Sequence, residues 1–233
     1  MLFNSIRQMI SYGSVDIVQI AAQILSMLCV IFLILPFHEF AHAWMANKLG
    51  DHTARNLGRL TINPLASVDY MGALCLLLFG FGWAKPVPVN SRYLKNPRRD
   101  LALISLAGPV ANLIAAFAGA LVYCGMSAFK VPLNTATLFI DSFLWYYISV
   151  NVSLAVFNLL PIPPLDGSKI LSALLPTNIL QVYYRYERII TSVGLMLLFF
   201  GAFSSFLPGI QSFLGDIIIN LAKLPYKLFG MKP

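Results

Sequence analysis

IVQIAAQILSMLCVIFLILPFHEFAH, residues 17–42, decides the architecture. The stretch from Ile17 to Phe37 carries no charge, and at about 1.5 Å per residue it is long enough to cross the ~30 Å hydrocarbon core of a bilayer. His38-Glu39-Phe40-Ala41-His42 continues the same run. Ionisable groups are costly at that depth, so their presence calls for a function. Histidines four apart share one face of a helix, and Glu39, three residues before His42, lies beside them. That spacing brings together two zinc ligands and a general base.

Composition defines the solvent. Of 233 residues, 58% are hydrophobic and 11% charged, far too apolar for an ordinary soluble domain. The expectation is an all-α polytopic membrane protein, residues 1–233 forming a single membrane-embedded domain. The net charge of +7 does not indicate a nucleic-acid partner, because the basic residues sit in short connectors between apolar segments, the pattern that orients a chain in a bilayer. Cys29, Cys75 and Cys124 stand singly in apolar stretches, without the spacing of metal ligands or disulfides, and read as packing residues. The N-terminal residues MLFNSIRQMISYGSVD lack the charged start, apolar core and small-residue site of a cleavable signal.

Ile17 to Leu49 reads as one helix, kinked where Pro36 removes a backbone bond near Phe32 and ended by Gly50-Asp51. Asn56 to Pro64 and Val87-Pro88-Val89 have the weak alternation and β-branched content of short strands. Val68 to Phe81 is apolar but short for a complete span, which suits a re-entrant segment. Spans follow at Leu101 to Met126, Leu138 to Leu160 and roughly Ile189 to Leu207, four in all with the first. Ile210 to Phe229, with Asp216, Lys223 and Lys227 among apolar residues, lies in the interface or adds a fifth.

Connector charges order these spans. Lys48, Arg55 and Arg59 follow the first helix; Lys85, Arg92, Lys95, Arg98 and Arg99 precede the next certain span; Lys130 alone occupies the loop after it; Lys169, Arg185 and Arg188 come next. With Val68 to Phe81 re-entrant, every basic cluster falls on one side, which the positive-inside rule makes cytoplasmic. The N-terminus then faces outward. His42 and His38 lie roughly 10 to 18 Å inside the cytoplasmic end of their helix.

Catalytic zinc usually takes three protein ligands and keeps a fourth position open, so a third ligand must come from elsewhere. Of nine acidic residues, most lie beside basic connectors or chain ends. Asp166 stands apart, at the end of Asn158-Leu-Leu-Pro-Ile-Pro-Pro-Leu-Asp166-Gly167 and on the same predicted side as the histidines. Pro161, Pro163 and Pro164 break the helix there, and exposed backbone at membrane depth is tolerated where it lines a wet cavity. Asp166 is thus a candidate ligand, though Asp before Gly-Ser at a helix start is also an ordinary N-cap. The broken backbone and the Asn158 amide offer donors for a substrate carbonyl. His52, beside Asp51 in a polar connector, reads as solvated, and the small residues from Gly108 to Gly119 as close helix packing.

Taken together, HEFAH at 38–42, GRLTINP at 58–64, GWAKPVPVN at 82–90, AGPVAN at 107–112 and NLLPIPPLDG at 158–167 resemble the site-2 protease family of intramembrane zinc metalloproteases (peptidase family M50), in its compact bacterial form without PDZ or CBS domains. The resemblance implies one catalytic Zn2+ on His38, His42 and Asp166, Glu39 as general base, and Asn158 and Asn112 near the cleft for substrate or oxyanion contact. It further implies membrane-associated strands around 58–63 and 86–90, a transmembrane protein or peptide as substrate, and a multi-pass location in the inner (plasma) membrane with the site towards the cytoplasm. Two other classes compete. A metal transporter would pair polar residues across several spans in repeated halves, which are absent from the sequence. A catalytically silent adaptor would not need the Glu39 carboxylate.

Overall fold

A computed structural model of the chain describes residues 17–79, 83–132 and 134–231; the N-terminal stretch read as lacking a signal, and residues 80 and 81 of the expected re-entrant segment, lie outside them. Ile17–Lys48 forms a single 32-residue helix, α1. Pro36 cannot donate to the Phe32 carbonyl, and α1 accommodates the loss by widening rather than by breaking. Val30–Ile34 is a π-helical turn in which the Leu35 N–H reaches back to the Val30 carbonyl, so the expected kink takes the form of a π-bulge just ahead of the histidines. Gly50, at φ +105°, ends the helix, and the Asp51 N–H folds back onto the Ala46 carbonyl at 3.0 Å, a glycine-based C-terminal cap.

Two short helices follow, α2 (Thr53–Asn56) and α3 (Pro64–Ser67), then α4 (Tyr70–Phe79). At ten residues, α4 is about 15 Å long, half the hydrocarbon thickness. Its flanks meet again: Val68 and Ala84 form an antiparallel bridge, and the Lys85 N–H donates to the Ser67 carbonyl at 2.8 Å. Gly72 makes this return possible, since a Cβ there would sit 2.0 Å from the Trp83 carbonyl oxygen. The segment thus leaves and rejoins one level, as a re-entrant element does. The two expected strands do not form. Among the described residues there is no strand, only that single bridge; residues 57–63 include turn and bend, and 85–90 run outside any helix or ladder. Pro86 and Pro88 remove two of the amides a ladder would need.

α5 (Pro97–Ala128) is the hub, packed against the second half of α1, against α6 (Thr135–Asn158), against α7 (Asp166–Leu174) and against α10 (Leu207–Leu228). Its buried face is built of small residues, Gly108, Ala111, Asn112, Ala115, Ala116, Gly119 and Ala120, which lets backbones approach where no hydrophobic force distinguishes protein from lipid. Gly119 lies so close to α6 that a Cβ would meet the Tyr147 ring at 2.7 Å. The outward surface carries exposed Phe32, Leu33, Ile114, Val122 and Trp145, as a lipid-facing surface requires.

Among the described residues three helices, α1, α5 and α6, are long and apolar enough to cross a membrane. The expected span at Ile189–Leu207 is divided. α9 (Glu187–Phe199), reached through α8 (Thr177–Arg185), has 13 residues, about 20 Å, and the chain then turns through 200–206 with Gly201 at φ +73°. α10, by contrast, is a 22-residue helix that lies lengthwise on α5 and α6: its Ile218 and Ala222 share a buried cluster with Ala116, Ala120, Cys124, Ile148, Val152 and Val156. The Tyr226 hydroxyl donates to the Leu121 carbonyl at 2.7 Å, which sets the C-terminal end of α10 beside the C-terminal half of α5.

Candidate metal centre

His38 and His42 project from α1 towards α5, one helical turn apart and both buried. Their outer nitrogens are held by α5. His42 Nδ1 lies 2.7 Å from the Ile104 carbonyl oxygen, and His38 Nδ1 lies 3.0 Å from Asn112 Oδ1. Both partners are acceptors, so each Nδ1 carries the proton and donates, leaving a lone pair on each Nε2. Pro109, inside α5, cannot bond the Ser105 carbonyl, and it is in this loosened turn that the neighbouring Ile104 carbonyl accepts from His42.

The two Nε2 atoms face each other at 3.0 Å. Asp166 Oδ2 completes the group, 3.2 Å from His42 Nε2 and 3.5 Å from His38 Nε2. Asp166 reaches this position because Gly167 has no side chain: a Cβ there would lie 2.1 Å from the Leu159 carbonyl oxygen, so the first turn of α7 closes directly onto the end of α6. The Asp166 carboxylate is turned to the histidines instead of capping its own helix.

Three acceptor atoms, two lone pairs and a carboxylate oxygen, thus converge with no protein donor between them, an arrangement stable only around a cation. All lie within 4.8 Å of one another. In a tetrahedral zinc site with bonds of 2.0–2.1 Å, ligand atoms are about 3.3 Å apart, which the observed 3.0, 3.2 and 3.5 Å bracket. Gly108 leaves room beside them, since a Cβ there would stand 2.4 Å from His42 Nε2 and 2.5 Å from His38 Cε1. The donor set and the space suit Zn2+.

Glu39, also buried, accepts the Val87 backbone N–H on Oε2 at 3.1 Å. Asn112 is fully buried and bonds His38. Asn158 is not brought to the histidines by any hydrogen bond: its Nδ2 donates to the Leu154 carbonyl one turn back at 3.0 Å. His52 is exposed and pairs with Asn47 Oδ1. Sequence reasoning missed three contributors. Gly108 was taken for helix packing although it borders the ring nitrogens; Ile104 and Val87 act through backbone atoms, which leave no side-chain signature.

The matches to known proteins agree with this geometry. The family model described as peptidase family M50 matches residues 26–137 and 126–201. YwhC of Bacillus subtilis (strain 168), named as a candidate zinc metalloprotease, is 46% identical over 153 residues, covering 64% of this chain and 70% of its own. Rip2 of Mycolicibacterium smegmatis, named in the same way, is 35% identical over 167 residues, 68% of this chain and 57% of its own. MJ0611 of Methanocaldococcus jannaschii, again so named, is 34% identical over 137 residues, 58% of this chain and 63% of its own. This chain therefore spans less than two thirds of the length of the latter two. No solved structure matches it significantly. With a buried two-histidine, one-aspartate cluster whose histidines stand on a helix long and apolar enough to cross a membrane, and with these relatives, the chain belongs to peptidase family M50, the site-2 protease family of zinc metalloproteases.

Proposed function

We propose that this protein is an intramembrane peptidase that hydrolyses peptide bonds in or near the transmembrane segments of membrane-protein substrates, with His38, His42 and Asp166 holding Zn2+ and Glu39 as general base. The observation that carries the reading is the convergence of both Nε2 atoms and Asp166 Oδ2 on one point, with Glu39 adjacent in sequence, in a helix otherwise apolar enough to span a bilayer. The chemistry a bound Zn2+ supplies is Lewis-acid polarisation of the scissile carbonyl and acidification of water. The chain's own residues do the rest. Asn112 and Ile104 fix the ring orientations and the tautomer, Glu39 takes a proton from the attacking water and returns it to the leaving amine, and the Pro161–Asp166 segment supplies a break in regular structure where an unwound substrate and water can meet. The basic connectors support a site towards the cytoplasm of the plasma membrane, and the packing of α10 along α5 and α6 supports a further span there.

The test is quantitative membrane proteomics of cells carrying the wild type against Glu39→Gln, with zinc content measured on both purified proteins. Accumulation of membrane-protein fragments or full-length substrates in Glu39→Gln, at undiminished zinc, is expected. A silent adaptor gives identical proteomes, and a zinc-free wild-type protein abandons the enzyme reading.

A further inference from the structure

Residues 83–90, Trp-Ala-Lys-Pro-Val-Pro-Val-Asn, follow the re-entrant segment and run to the start of a 3₁₀ turn at Ser91–Tyr93. Three backbone amides tie this strap down, each to a different place. The Lys85 N–H donates to the Ser67 carbonyl at 2.8 Å, the Val87 N–H to Glu39 Oε2 at 3.1 Å, and the Asn90 N–H to Asp51 Oδ2 at 2.7 Å. Arg59 adds a bond to the Lys85 carbonyl. Between Lys85 and Val89 the only amide is that of Val87, because Pro86 and Pro88 have none, and it is given to Glu39. The prolines also narrow the conformations the strap can adopt when free.

Asp51 is the second anchor. It is fully buried, and its other oxygen accepts the amide and the hydroxyl of Thr53, so its carboxylate is immobilised. The Asp51 N–H is itself tied to the Ala46 carbonyl in the turn that ends α1, and Glu39 stands earlier in the same helix. The two carboxylates thus receive two amides, three residues apart, of one segment.

We propose that Val87 is a positioning residue for the hydrolytic reaction: its backbone N–H, held in place by the Asp51–Asn90 anchor, fixes one oxygen of the Glu39 carboxylate and leaves the other to face water. This rests on the reading of Glu39 as general base. The strap determines where the base points, so loosening it lowers turnover while leaving metal and substrate binding intact.

Two measurements test this. The first needs neither metal nor substrate: hydrogen exchange of the metal-free protein, resolved to single amides across 85–90. Glu39→Ala is expected to speed Val87 exchange about tenfold or more while Lys85 and Asn90 stay protected; unchanged Val87 protection overturns the proposal. The second uses an internally quenched apolar 20-residue peptide and labelled casein as probes in detergent, with Glu39→Gln as reference. Val87→Pro, which removes the N–H, should lower kcat about 10- to 100-fold relative to Val87→Ala, which keeps it, with KM and zinc content the same in both. Equal kcat for the two overturns the proposal. If Val87→Pro does not fold, Asp51→Asn decides: a several-fold loss in kcat at constant KM and zinc supports the anchor, and wild-type kcat refutes it. A Glu39→Gln protein that still cleaves defeats the base itself and with it the proposal, whatever the exchange data show.

Discussion

Gly108→Ala should empty the metal centre without touching a ligand. The added Cβ would stand 2.4 Å from His42 Nε2 and 2.5 Å from both His38 Cε1 and His42 Cε1, so relief to ordinary contact needs a displacement of about 1 Å. The rings cannot simply swing away, because each Nδ1 is bonded to α5, through Asn112 and the Ile104 carbonyl. Zinc–nitrogen bonds are only 2.0–2.1 Å long, so a 1 Å shift of one ligand is half a bond length. Changes that merely disturb the orientation of a ligand cost 10- to 100-fold in affinity; displacing two ligands should cost at least 100-fold, about 2.7 kcal/mol. Some loss of fold stability, on the order of 1–3 kcal/mol, accompanies any overpacking. Gly119→Ala separates the two effects. Its Cβ meets the Tyr147 ring at 2.7 Å, a clash of the same kind far from the histidines, so it should lose stability and keep zinc. The assay is competitive titration against a chromophoric chelator in detergent, beside thermal unfolding of the metal-free proteins. Zinc affinity within threefold of wild type in Gly108→Ala would show that the space over the two Nε2 atoms is not where the ion sits.

Three further outcomes follow from the same geometry. Asn112→Leu removes the acceptor at His38 Nδ1 and should weaken zinc 10- to 100-fold, while Asn158→Ala, which breaks only a bond to Leu154, should leave the affinity unchanged; both are read by the same titration. Chelation should lower the unfolding midpoint of the Glu39→Gln protein by on the order of 10 °C, since free zinc at 1,000 times Kd contributes about 4 kcal/mol, and an unshifted midpoint would argue against a bound ion. In a background lacking Cys29, Cys75 and Cys124, Lys227→Cys should react with impermeant maleimide from the same side as Lys130→Cys and opposite to Lys169→Cys; labelling of Lys227→Cys with Lys169→Cys would place α10 on the membrane surface.

What was legible in the sequence was chemistry carried by side chains out of place. Two histidines and a glutamate in an uncharged run, and an aspartate isolated behind three prolines, are costly in hydrocarbon and so stand out as candidates, and the fold brings His38, His42 and Asp166 together. Asn158 shows what sequence leaves out: an amide at a helix end has a local acceptor one turn back, and its Nδ2 donates to the Leu154 carbonyl. The apolar run at Ile189–Leu207 looked like one span because hydropathy is blind to a turn made of Gly, Ala, Phe and Ser; Gly201 was the only mark of the break, and a glycine in an apolar run is usually packing. The strand expected at 86–90 failed on proline, which has the extended geometry of a strand but not its donors, while 58–63 begins with Gly58 at φ +67° and includes turn and bend.

The same prolines explain how one segment serves the site without forming a sheet. A strap with every amide intact would present an unpaired edge next to a hydrolytic centre, open to strand addition by any extended chain. With Pro86 and Pro88 in place, the amide between them has a single use, and the structure spends it on Glu39. Asp51, at the cost of burying a carboxylate, accepts three donors so that the strap's far end cannot drift. α1 and the turn that ends it thus supply two of the strap's tie points, Glu39 and Asp51, together with both histidines, while Asp166 comes from the start of α7 and α5 holds the histidine rings.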